Sequence, residues 1–177
     1  MRHKIIFIGG VHGVGKTTLC KSVSSEFNIK HYSASELIKK YSNIKFEPNA
    51  RVKNINKNQE MLIQAINTYL EINKNYILDG HFCLLNQASE ITKIPLATFT
   101  QMAPSAIILL HNNPNDIYSR LKDQERYIYD VGLLTSFQDQ ELQYSRFVAN
   151  KLGIPYLKAK PLINREIVDD FIADLIG

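Results

Sequence analysis

Gly10-Val11-His12-Gly13-Val14-Gly15-Lys16-Thr17 fills every fixed position of the pattern G-x-x-x-x-G-K-[ST]. The physics assigns each residue type a task. Glycines let the backbone turn tightly, so that successive N–H groups point inward at phosphate oxygens. A helix starting near Gly15 aims its positive end at the same place. Lys16 brings a mobile cation to β- and γ-phosphates, the Thr17 hydroxyl is a ligand for Mg²⁺, and Thr18 follows as a candidate for the α-phosphate. His12 and Val14 occupy variable positions, and His12 reads as loop packing or a solvent-exposed side chain before any catalytic role. The bland alternative is a glycine-rich turn with a surface lysine. An apolar strand pattern before the loop and a helical pattern after it argue against that.

A phosphate loop of this kind needs an acidic residue to anchor hydrated Mg²⁺, typically at the end of a neighbouring strand. Asn75-Tyr76-Ile77-Leu78-Asp79 meets the requirement, because Asp79 directly terminates an apolar strand. Asp79-Gly80 is also an ordinary turn pair. His81 stands two residues on, placed to hydrogen-bond a phosphate, orient a water or serve the structure alone. Phosphoryl transfer spreads negative charge that arginines complement. Arg120 and Arg126 are six apart, off one face of a straight helix, and converge only if the chain bends as a lid would. A solvated charged helix is the alternative. Arg51, in the polar stretch Glu47–Asn58, is either a contact for a second substrate's phosphate or a surface arginine.

The elements that position these groups alternate. Strand patterns fall at Ile5–Ile8, Ile29–Tyr32, Tyr76–Leu78, Ala106–Leu110 and Ile154–Leu157. Helical patterns fall at Lys16–Phe27, from Ser33 or Ser35 to about Lys40, at Asn58–Ile72, from Pro114, and at Ser136–Leu152 before Gly153. A closing helix is expected from the four-residue recurrence of Ile163, Ile167, Phe171 and Leu175. Strands that are apolar throughout imply a parallel sheet covered on both faces, hence an α/β doubly wound sandwich.

The sequence has 177 residues, slightly more than one domain of roughly 150, so a single domain is expected. Net charge is +4, enough to suit nucleotides and too little to point to nucleic acid. Two cysteines, Cys20 and Cys83, exclude a disulfide scaffold. No apolar run approaches the ~20 residues a bilayer needs, and Met1-Arg2-His3-Lys4 lacks the apolar stretch of a signal peptide. A cytoplasmic location and no membrane partner are expected.

Three segments together, G-G-V-H-G-V-G-K-T-T (9–18), Y-I-L-D-G-H-F (76–82) and A-I-I-L-L-H-N-N-P-N-D-I-Y-S-R (106–120), resemble the P-loop nucleotide kinases. The likeness is to the small adenylate-kinase-like branch of archaea and ribosome-assembly factors, and to small AAA-type ATP-binding proteins, over about residues 4–158. It implies a three-layer P-loop NTPase sandwich with a five-stranded parallel sheet in the order 2-3-1-4-5. A substrate flap (about 33–58) and a short lid (about 120–135) would belong to one domain spanning 1–177. It further implies ATP at Gly10–Thr18, magnesium through Thr17 and Asp79, catalytic roles for Lys16, Asp79, Arg120 and Arg126, and acceptor contacts at Ser35, Arg51 and His81. Tyr127-Ile128-Tyr129 precede Asp130, where adenylate kinases usually carry a further lid arginine. Two functions stay open: a kinase moving the γ-phosphoryl of ATP to a small acceptor such as a nucleoside monophosphate, or an ATPase or nucleotide-dependent switch acting on a macromolecule. A monomer or small homo-oligomer suits both.

Overall fold

Of the five short strands of the main sheet the three central ones are buried along nearly their whole length, while the two edge strands carry polar residues; the buried ones need cover on both faces, and the helices between them supply it. A computed structural model describes residues 3–42, 54–122 and 129–177. The chain runs β1 (Lys4–Gly9), α1 (Lys16–Phe27), β2 (Lys30–Ser33), α2 (Ala34–Ser42), α3 (Ile55–Tyr69) and β3 (Asn75–Gly80). A hairpin of β4 (Cys83–Leu85) and β5 (Ile91–Lys93) follows, then α4 (Leu96–Met102), β6 (Ala106–Leu110), α5 (Pro114–Leu121), α6 (Val131–Leu152), β7 (Tyr156–Ala159) and α7 (Arg165–Ile176). The main sheet is parallel, in the order β2-β3-β1-β6-β7. The hairpin forms its own two-stranded sheet, so the strands expected fourth and fifth are the sixth and seventh of the chain.

Register sets the site. Gly9 lies opposite Gly80 on one side and Leu109 on the other, while Ser33 lies opposite Asp79. Four strands therefore release their chain at one edge. The connections leave β1 toward β2 and β3 on one side and return to β6 on the other. This reversal opens a crevice at the carboxyl end of β1, the place where ligands bind in open α/β sheets.

Beneath that edge the core is aromatic. Phe82 stacks on Phe99 at 5.0 Å, and the Phe7 ring meets both edge-on at 5.2 and 5.6 Å. Both cysteines are free and buried. Among the described residues no helix is long and apolar enough to cross a membrane.

Local chemistry explains where the elements begin and end. Asn54, Asn113 and Asp130 each accept a backbone N–H from the first turn of the helix they precede. Asp130 thereby starts α6 at Val131, five residues before the periodicity suggests. Strand β7 sits two residues later than expected. The closing helix begins at Arg165 and its face differs from the four-residue stripe. Val168 and Ile172 are buried, while Ile163 and Ile167 are 74% and 52% exposed. A strict period of four drifts off one face of a helix with 3.6 residues per turn, and Val168, Phe171, Ile172 and Leu175 form the core-facing set. The hairpin and α4 are too short to leave a periodic signature.

Candidate active site

The loop between β1 and α1 takes its shape from glycines in conformations that other residues rarely adopt. Gly10 has φ +146°, and a Cβ there would sit 2.7 Å from the Leu110 carbonyl oxygen on the neighbouring strand. Gly13 has φ +76°, and its Cβ would meet the Leu121 side chain of α5 at 2.6 Å. Val11 and Val14 turn their side chains into the core. His12, Gly13, Gly15, Lys16, Thr17 and Thr18 line a cleft of about 740 Å³. The loop is thus anchored from below by its valines and open above.

Lys16 is buried and donates from Nζ to the carbonyl oxygens of Gly10 at 2.6 Å and Val11 at 2.9 Å. Burial lowers its pKa, while the charges of Glu141 and Asp79 oppose that shift. Glu141 is a residue the sequence reading missed. It lies on α6, almost fully buried, and Oε1 accepts the backbone N–H groups of Phe82 and Cys83, each at 2.8 Å. Its Oε2 is buried without a hydrogen-bond partner. Burial pushes its pKa up to about 7, against the pull of those amides and of Lys16. A signal was present: Glu141 stands among Phe137, Tyr144 and Val148 on the buried stripe of α6, and a carboxylate on an apolar face needs a reason. One turn earlier, Gln138 exchanges hydrogen bonds with the backbone of Asn112, accepting its N–H at 2.9 Å and donating to its carbonyl at 2.8 Å. One helix thus grips the exits of β3 and β6.

Asp79 is buried at the end of β3 and lines the cleft. His31 Nε2 of β2 lies 2.6 Å from its Oδ2, a partner not anticipated from the sequence. A carboxylate offers about four lone-pair sites, so this pairing leaves Asp79 further acceptor capacity in the cleft that Thr17 also lines. His81 also lines the cleft. Burial first, then the charges of Lys16 and His12, hold its pKa well below the usual histidine value. It is neutral at pH 7, able to share a hydrogen bond and unable to act as a fixed cation.

Arg120, at the end of α5, reaches back to the loop, where Nη1 donates to the Gly13 carbonyl at 3.3 Å. Ser35 lines the cleft on α2, its Oγ 2.8 Å from Ser33 Oγ. Glu36 and Lys39 of α2 and Asn58 and Gln59 of α3 complete that wall. Arg51 and Arg126 lie outside the described residues, as do parts of the expected flap (43–53) and lid (123–128). The described ends of the flap are α2 and the first turn of α3; those of the lid are the last turn of α5 and the first of α6.

Sheet order, loop and cleft together define the P-loop kinase fold. Three solved structures share it across nearly the whole chain. A gluconokinase from Sinorhizobium meliloti 1021 is 12% identical with a TM-score of 0.55, covering 99% of this chain and 93% of that one. A shikimate kinase from Bacteroides thetaiotaomicron is 14% identical at 0.55, with 98% of each chain covered. One from Aquifex aeolicus is 16% identical at 0.57, with 97% and 95% covered. An AAA domain family model matches residues 9–132. The chain belongs to that family. No curated protein matches its sequence significantly.

Proposed function

We propose that the protein is a small-molecule kinase of the adenylate-kinase-like branch, transferring the γ-phosphoryl group of ATP to a nucleoside monophosphate. The observation that carries this reading is that one cleft is lined both by Lys16, Thr17, Asp79, His81 and Arg120 and by Ser35, Lys39, Asn58 and Gln59 of α2 and α3. In this reading the first group serves the phosphoryl donor and the second the acceptor.

In this reading the loop amides of Gly10–Thr18 cradle the triphosphate, and the Lys16 ammonium leaves the carbonyls of Gly10 and Val11 for phosphate oxygens. Thr17 and Asp79, both oxygen donors in the cleft, suit Mg²⁺, and would hold it; bound there, the ion neutralises phosphate charge. Pro161 abuts Gly15, and Leu162 and Ile163 after it are 81% and 74% exposed, giving the adenine base an apolar surface beside the loop. An acceptor phosphate oxygen attacks the γ-phosphorus while the bond to the β-phosphate oxygen breaks. The protein contributes alignment and charge stabilisation. Arg120 is the described arginine near enough to follow the charge, and Arg126 is assigned the same task, with Arg51 on the acceptor. A cytoplasmic, nucleotide-using enzyme is the corresponding setting.

The test measures ADP formed from ATP·Mg²⁺ with each nucleoside monophosphate, and with gluconate and shikimate as controls taken from the similar folds. A monophosphate that raises turnover well above the ATP-only blank supports the reading. Equal ADP release with and without every acceptor overturns it in favour of an ATPase or nucleotide-dependent switch.

A further inference from the structure

Three chemically different donors converge between α1, β2 and β3. Cys20 comes from the buried face of α1, His31 from β2 and Asp79 from β3. The Cys20 thiol, one ring nitrogen of His31 and one carboxylate oxygen of Asp79 lie within 4.8 Å of one another, with His31 Nε2 already 2.6 Å from Asp79 Oδ2. We propose that Cys20 Sγ, His31 Nε2 and the Asp79 carboxylate form a site for a thiophilic divalent cation of the zinc type, distinct in chemistry from any magnesium site.

The donor set makes the selection. Zinc takes thiolate, imidazole and carboxylate at roughly 2.0–2.3 Å, which sets tetrahedral donors about 3.3–3.5 Å apart, so Nε2 and Oδ2 must part by under an ångström while the thiol draws in by about an ångström at most. Magnesium requires hard oxygen donors in an octahedron and has no use for sulfur or imidazole here. Three protein ligands leave the tetrahedral fourth position to water or another small donor.

Burial, and secondarily the charge of Asp79, raise the Cys20 pKa, so without a cation it is a neutral thiol. An incoming dication reverses that balance and the thiol proton leaves to solvent. No redox step is involved. Asp79 also lines the nucleotide cleft, so the ion's approach is from there. Occupancy would tie up the carboxylate proposed for magnesium, and zinc would therefore inhibit. Only this last consequence rests on the proposed function.

The test uses the full chain stripped with chelator and titrated with Co²⁺, whose tetrahedral thiolate complexes absorb strongly. We expect saturation at one ion per chain with a sulfur-to-cobalt charge-transfer band, bleached by Zn²⁺. Cys20→Ser abolishes the band, His31→Ala weakens binding by about tenfold or more, and Cys83→Ser changes neither. Absence of the band, or its survival in Cys20→Ser, overturns the site. Should Cys20→Ser fail to fold, Cys20→Ala and His31→Gln read the same spectrum. Zinc inhibition of ADP formation, lost in Cys20→Ser, tests the consequence. If Asp79→Asn leaves turnover unchanged, the magnesium assignment fails while the cobalt spectrum of the unaltered chain still decides the site.

Discussion

Lys16 donates its ammonium proton to the Gly10 carbonyl at 2.6 Å, six residues back in the same loop. The ammonium is thus held inside its own loop, and under the proposed function nucleotide binding would have it exchange main-chain oxygens for phosphate oxygens. Hydrogen bonds to charged groups are worth about 1.5–3 kcal/mol net. Lys16→Ala is therefore expected to weaken ATP binding about 10- to 100-fold by calorimetry and to lower transfer further. The melting temperature should fall as well, because the carbonyls of Gly10 and Val11 that lose their donor are buried, and an unsatisfied buried acceptor costs about 1–3 kcal/mol.

Gly13→Ala tests the loop's backbone. The substitution forces a side chain into φ +76° and against Leu121 at 2.6 Å. A strained conformation of this kind costs about 1–3 kcal/mol, before the displacement of α5 is counted. Scanning calorimetry should show a melting point lower by roughly 2–4 °C for each kcal/mol in a chain of this size, together with reduced nucleotide affinity.

Arg120→Ala should separate chemistry from binding. Arg120 is exposed and its contact with Gly13 is long, so its loss should change stability by less than about 0.5 kcal/mol. If it stabilises charge in the transition state, kcat falls on the order of a hundredfold or more while the ATP dissociation constant holds. An unchanged kcat would remove Arg120 from the reaction.

Glu141 makes stability depend on pH in a definite direction. Its pKa is about 7 in the fold, against 4.5 ordinarily. As pH rises past 4.5 the unfolded chain ionises first, so folding stability declines until about pH 7 and stays low above it. The loss is on the order of 3 kcal/mol. His81 acts the other way: its depressed pKa makes stability fall as pH drops below 6.5. Comparing Glu141→Gln with the unaltered protein by denaturant unfolding cancels the histidine contribution. The difference should be small near pH 5 and grow in favour of glutamine by pH 8, since the amide oxygen still accepts from Phe82 and Cys83. A flat difference would mean Glu141 stays ionised as a partner for Lys16.

These residues also mark what a sequence can reveal. The loop Gly10–Thr18 is legible because its pattern runs through consecutive residues, and the place of Asp79 because a strand carries it to an edge that the alternation of elements already implies. Glu141 and His31 act through partners 58 and 48 residues away, separations that leave no local spacing to read. The buried stripe of α6 offered a hint for Glu141; His31, on a four-residue edge strand, offered none. The drifted face of α7 shows the opposite error, a tidy repeat of four mistaken for the helical period.

The grip of α6 on two strand exits has a mechanical consequence. Gln138 and Glu141 sit one turn apart and fasten the backbone after β6 and after β3, on opposite sides of the phosphate loop. A small roll of that helix would drag both banks of the cleft together, as a camshaft moves two valves. A push on the first turn of α6, at Val131, would thus act on both sides of the phosphate loop at once.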